Sequence, residues 1–200
     1  AFIMPLHPLV KQAALSFDTK QRVITNLEVV SNEIPIGRYE FAIYQWRFHG
    51  IREDLVLKPI ASNALATEHL GRLLESAADC PGAMPDGLGA SVWDDLDAQH
   101  YSLWNDARSR HRQKTQEQAE YRRESLSTSH RARIALLEEQ LSQATNEKIQ
   151  KMRRSQIAAA EADYARRIQE LDIALERADI VAGPVAYGVL FVETGGQDVD

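Results

Sequence analysis

The chain has 200 residues, of which 44% are apolar and 26% charged, a balance that excludes a disordered chain. Acids outnumber bases 29 to 23, a net charge of −6, which excludes a uniformly basic nucleic-acid binder. A single cysteine, Cys80, forbids an internal disulfide, and no apolar run approaches the roughly 20 residues of a membrane span. A cytoplasmic protein with no membrane contact is therefore expected.

The opening Ala1-Phe2-Ile3-Met4-Pro5-Leu6-His7 reads as neither a basic leader nor a signal-peptide core. Without an initiating methionine, the chain reads as a piece of something larger.

Residues 20–60 read as β structure. Gln21 to Val30 is β-branched and partly alternating, and Ser31 to Gly37 is turn chemistry. From Arg38 to Phe48, alternation places Ala42, Tyr44, Trp46 and Phe48 on one face and Tyr39, Phe41 and Ile43 on the other. Such a strand is covered on both sides. Asp54 to Lys58 forms a further short strand, ended by Pro59. These short spacings favour antiparallel pairing.

Residues 64–78 predict a helix, capped by Ser62 or Asn63. Leu65, Leu70, Leu73, Leu74 and Ala77 form its apolar stripe, suited to cover one face of the sheet. Residues 79–90 carry two prolines and three glycines and predict a loop.

From Ser91 to Ala178 there are 88 residues without proline or glycine. This stretch, rich in Ala, Glu, Gln, Arg and Leu, is expected to be helical. One unbroken helix would run about 130 Å, more than a small domain supports, so the chain is expected to fold back. Ser142 to Asn146 is the best turn, with Thr145 as cap. Ile134, Leu137 and Leu141 before it are spaced 3 and 4; Tyr164, Ile168, Leu171, Leu175 and Ala178 after it are spaced 4, 3, 4 and 3. These are seam intervals for two packed helices. The arms would be roughly 35 residues, or about 50 Å, long.

Gly183-Pro184 is expected to stop the helix, and Val185 to Val192 to return as a buried strand. The predicted fold is α+β: a small antiparallel β-sheet with a covering helix, and a long inserted antiparallel helical hairpin, coiled-coil-like, whose last strand rejoins the sheet. Residues 1–90 and 179–195 would form the sheet domain, 91–178 the insertion and 196–200 a polar tail.

Motifs for chemistry are missing. There is no phosphate-cradling G-x-x-x-x-G-K-[ST], no G-x-G-x-x-G after a strand and no G-x-S-x-G elbow. The six histidines, His7, His49, His69, His100, His111 and His130, form no H-x-x-x-H pair, so no metal site is expected. Cys80 has no local base to activate it. Asp94, Asp95 and Asp97 read either as metal or acid/base residues or as dipole compensation at a helix start. Tyr44, Trp46 and Phe48 read either as a stacking platform for bases or as core.

Charge distribution is more informative. Residues 106–154 hold twelve bases and seven acids, leaving 11 bases against 22 acids elsewhere. With a turn near Ala144, Arg131 and Arg133 would face Arg153 and Arg154 about 15 Å below the tip. The candidate contact residues are Arg122, Arg123, Arg131, Arg133, Lys148, Lys151, Arg153 and Arg154. They suit phosphate contact, protein contact or a solvated helix face.

The order of features resembles the region that follows the motor lobes in bacterial Swi/Snf-type (RapA-like) ATP-dependent helicases. The similar elements are His7-Pro8-Leu9-Val10, the strand Tyr39 to Trp46 closing at Gly50, Leu57-Lys58-Pro59-Ile60, the helical stretch through Ala160 to Arg167, and the strand Val185 to Leu190. The resemblance implies an accessory C-terminal portion of a motor protein. Its partners would be the motor lobes of the parent chain, with DNA, RNA or another protein met by the hairpin. The family's ATP-binding and helicase motifs have no counterpart here, so no catalytic residue carries over, and neither enzymatic activity nor a cofactor is expected. The alternative is a structural module whose hairpin pairs with its own copy or another helix.

Overall fold

The structure, a computed structural model, describes residues 23–80 and 90–194. The elements in chain order are β1 (Val23–Val30), β2 (Gly37–His49), β3 (Asp54–Ala61), α1 (Ala64–Ser76), β4 (Ala78–Asp79), α2 (Ala90–Gln143), α3 (Glu147–Glu176) and β5 (Asp179–Glu193). The expectations for the segment before Val23, for residues 81–89 and for the last six residues lie outside the described residues.

The fold is α+β, as the sequence predicts. Five strands form one mostly antiparallel open sheet in the order β3-β2-β5-β1-β4. β5, last in sequence, is central. It pairs in parallel with β1, from Val23 opposite Ala186 to Val30 opposite Glu193. That ladder departs from the antiparallel pattern expected of short spacings, because β5 arrives from a distant crossover and not from a hairpin turn. The edge strand β4 pairs antiparallel with β1, and the Cys80 N–H donates to the Asn26 carbonyl. The expected helix over 64–78 thus ends at Ser76, and Ala78 and Asp79, expected at the end of that helix and the start of a loop, form β4. Pro59 does not end β3, which continues to Ala61; β3 is an edge strand, where a missing N–H is tolerated.

The chain divides into two compact units. Among the described residues, one contains those up to Arg47, those from Asp54 to Ala107 and those from Ile180. The other contains Phe48–Glu53 and Arg108–Asp179.

In the sheet unit, the period-two alternation of β2 does what the sequence implies. Tyr39, Phe41 and Ile43 meet Val29, Ala61, Leu190 and Val192 in a core covered by Ala66, Leu70 and Leu73 of α1. Asn63 caps α1, its Oδ1 accepting from the Ala66 N–H at 2.7 Å. The stripe runs through Ala66 and not Leu65, which is exposed, because Ala66, Leu70, Leu73 and Ala77 keep the i, i+4, i+7 spacing of one helix face. On the opposite sheet face Ala42, Tyr44, Trp46, Tyr187 and Val189 are buried, together with Leu96 and His100 from the start of α2. Gly188 is required where β5 crosses β2: a Cβ there would stand 2.5 Å from Phe41 Cζ and 2.6 Å from the Thr25 carbonyl oxygen.

In the second unit, α2 and α3 pack antiparallel. The stacked rings of His130 and Tyr164 and the ion pair of Arg123 with Asp172 set their register. The turn spans residues 144–146. Asn146 caps α3, one residue beyond the expected Thr145, its Oδ1 accepting from the Lys148 N–H at 2.9 Å. Leu137, Ala160, Leu171 and Ala178 are buried along the seam. In the polar stretch of α2 the seam continues through two small residues, Thr115 and Ala119. Thr115 lies against Gly50, whose φ of +148° belongs to the glycine-favoured region.

α3 ends at Glu176, before Gly183-Pro184, and those two residues lie inside β5. The helix stops without either breaker. The Arg177 and Ala178 N–H groups donate back to Ile173 and Leu175, and Arg108 and Arg112 hold Asp179. Pro184 lies two residues before Ala186, the first residue of β5 paired with β1 among the described residues.

Candidate nucleic-acid interface

Two groups of polar side chains stand out, one in each unit. In the sheet unit, Asp97 Oδ1 accepts hydrogen bonds from the Tyr44 hydroxyl at 2.5 Å and the Tyr187 hydroxyl at 2.8 Å. One turn on, the His100 ring stacks on Tyr44 at 3.6 Å between centroids, and its Nε2 accepts from Trp46 Nε1 at 2.8 Å. Trp93 meets Tyr187 edge-on. Burial pushes the Tyr44 hydroxyl far above the usual tyrosine range, reinforced by the Asp97 bond and charge. Burial also lowers His100, partly opposed by the Asp97 charge, so the ring is held neutral.

This cluster has the residue types of acid/base chemistry, with its carboxylate, Asp97, partly buried and four of its rings buried. Tyr44 is 2%, Tyr187 3%, Trp46 4% and His100 9% exposed. It acts as a polar joint fastening the first turns of α2 to the sheet. The aspartates therefore divide: Asp94 and Asp95 are exposed at the helix start, while Asp97 receives two tyrosines. Tyr44 and Trp46 belong to the core and offer no face to a base. Among the described residues no group of three or more His, Cys, Asp or Glu is arranged to hold a metal.

The hairpin carries the other group. Arg122, Arg131, Arg133, Lys148, Lys151 and Arg154 are exposed. Among the described residues, none of these six forms an ion pair. Arg123 is engaged by Asp172. Arg153 is half-buried, donates to Gln156 Oε1 at 2.7 Å, and keeps a buried Nε without a partner. The expected convergence of Arg131 and Arg133 on Arg153 and Arg154 does not occur. At the register of His130 with Tyr164, Arg133 stands level with Glu161, and it lines a small cavity with Ala160, Asp163, Tyr164 and Arg167. Counting outward from a turn at Ala144 places that register several residues off, since only side-chain packing along the seam fixes it.

Sequence reasoning missed the arginines of α3 that organise the groove beside the seam. Arg166 bridges Asp163 at 2.6 Å and Glu170 at 2.7 Å, and Arg167 reaches Asp163 at 3.0 Å. The Arg166 bond, with the Arg167 charge, holds the Asp163 carboxyl below the usual carboxylate range. Their i, i+3 and i, i+4 spacings were visible in the sequence as ordinary helix-surface pairs. A groove of about 430 Å³ is lined by Ile51, Arg122, Ser125, Leu126, Arg167, Glu170, Leu171 and Ala174.

Compared with known protein families and with curated proteins, the chain matches none. No helix among the described residues is long and apolar enough to cross a membrane.

Proposed function

We propose that this chain is a non-catalytic accessory module of a Swi/Snf-type ATP-dependent helicase or translocase, and that its helical hairpin contacts nucleic acid. The observation that carries the contact is the set of exposed hairpin cations, Arg122, Arg131, Arg133, Lys148, Lys151 and Arg154, without carboxylate partners among the described residues. Phosphate contact needs positive charge on a solvent-facing surface and no buried pocket, which suits these residues. The link to a motor protein rests on the resemblance in feature order. In a cytoplasmic parent, the motor lobes would supply the ATP chemistry.

A mobility-shift assay with duplex DNA tests the contact. Reversing Arg131, Lys148, Lys151 and Arg154 to Glu is expected to abolish binding. Unchanged binding would remove the nucleic-acid reading.

A second reading has its own support. Leu136, Ile149 and Met152 of the hairpin are exposed apolar side chains, which suit a helix-on-helix contact with another copy or another protein. Sedimentation at high salt separates the two, since apolar association persists where phosphate contact fails.

A further inference from the structure

The half of the hairpin next to its turn presents one apolar face whose bordering charges run against the helix dipoles. On α2, Ser129, Arg133, Leu136 and Gln140 recur at intervals of 4, 3 and 4, a single stripe of a helix. On α3, Ile149, Met152, Gln156, Ala159 and Asp163 recur at 3, 4, 3 and 4. Ser129, Arg133 and Asp163 line one small cavity, so both stripes lie on the same side of the hairpin. Towards the turn, that side holds the exposed Leu136, Ile149 and Met152. Glu139 stands three residues after Leu136 and Lys148 four before Met152, so an acid borders the face on α2 and a base on α3. The surrounding residues repeat the asymmetry. Residues 134–143 hold Glu138 and Glu139 and no base, whereas residues 147–154 hold Lys148, Lys151, Arg153 and Arg154 against Glu147. Helix dipoles favour the reverse, cations near the end of α2 and acids near the start of α3. Among the described residues, no ion pair involving Glu138, Glu139, Lys148 or Lys151 offsets that placement.

We infer that this face is where two copies of the chain pair, with α2 of one copy against α3 of the other. Clustered exposed apolar side chains rimmed by polar ones mark an interaction face. Charge selects the partner. Two identical hairpins laid with α2 on α2 would set Glu139 against its own copy. A two-fold axis along the hairpin sets α2 on α3 instead, so the acid of each copy faces the base of the other. A second copy therefore supplies both halves of the complementarity. A uniformly acidic or uniformly basic helix would satisfy one arm and repel the other. The face covers about 18 Å of helix and the width of two helices, about 20 Å, which is small for a specific interface. The pair is accordingly weak, with a micromolar dissociation constant. The inference rests on the second reading above, which gives Leu136, Ile149 and Met152 to a helical partner, and it names that partner.

The test is sedimentation equilibrium of the full chain from about 1 to 200 µM, at about 0.1 and 0.5 M salt. The wild type is expected to pass from monomer to dimer over that range, more weakly at the higher salt. Leu136→Asn with Met152→Asn is expected to raise the dissociation constant about tenfold or more at both salts. Both positions are exposed, so neither change opens a cavity, and neither alters charge. Glu139→Lys is expected to raise the constant about threefold at the lower salt and little at the higher, where its charge is screened. None of the three substitutions removes a hairpin cation. A wild type that stays monomeric throughout would overturn the pairing of copies and leave the apolar face to another protein. Association that vanishes at the higher salt would be driven by charge alone and would overturn the second reading as well. A dimer indifferent to Leu136→Asn with Met152→Asn would place the contact elsewhere and overturn the inference. One that this pair weakens and Glu139→Lys does not would overturn the setting of α2 on α3.

Discussion

Two residues decide how tightly the sheet unit is specified. Gly188 leaves room for Phe41 and for the Thr25 carbonyl, so Gly188→Ala must displace a buried ring or the β1–β5 ladder. Overpacking of this kind destabilises by about 1–3 kcal/mol, which a urea melt would read as a lower midpoint. His100 sets a pH dependence. Its folded-state value is lowered, so between that value and its ordinary one near 6.5 the unfolded chain takes up a proton that the native state excludes. Stability is then complete above pH 6.5 and falls as pH drops below it. His100→Gln, whose amide oxygen can still accept from Trp46, is expected to flatten the fall in melting temperature between pH 6.5 and 5. An unchanged slope would place the titrating group elsewhere. Neither residue's role was legible in the sequence. Gly188 read as one member of a buried run, and Asp97 and His100 find Tyr44, Trp46 and Tyr187 only once the strands are stacked beneath α2.

At the scale of elements, local periodicity was a good guide and register was not. The seam residues Leu137, Leu171 and Ala178 are buried as their spacing implies, and the fold-back falls within the predicted turn. The cap moved by a single residue, from Thr145 to Asn146. Asn146→Ala is expected to cost about 1 kcal/mol of stability, measurable by thermal melting monitored at the helical ellipticity minimum. The arms' relative slide is settled by contacts such as His130 with Tyr164, which no single-helix pattern contains. Thr115 and Ala119 belong to no seam spacing read from the sequence, yet both are buried. The Arg123–Asp172 pair is half exposed, so a double-mutant cycle should return a coupling of only about 0.2–1 kcal/mol. Its contribution is to register more than to stability.

For the whole molecule, the order of strands matters most. β5 enters between β2 and β1, so the sheet is complete only after the chain has passed through both arms of the hairpin. Backbone amides of Tyr187 to Leu190, central and buried, are expected to be among the slowest to exchange with deuterium. The return of a final strand was legible from its buried run. Its central position and parallel pairing with β1 were not, because strand order leaves no mark in a strand's own residues. If the chain is an accessory module, as proposed, the purified protein is expected to hydrolyse no ATP, and turnover that survives repurification would contradict that role. The most direct measurement is the salt dependence of duplex affinity for the full chain. If the outer hairpin cations contact phosphates, log K should fall linearly with log salt at about 0.9 per contact, giving a slope of roughly −2 to −4 for two to four of them. A flat plot, with helix content unchanged across the salt range, would contradict phosphate contact and leave the hairpin as a protein-binding rod.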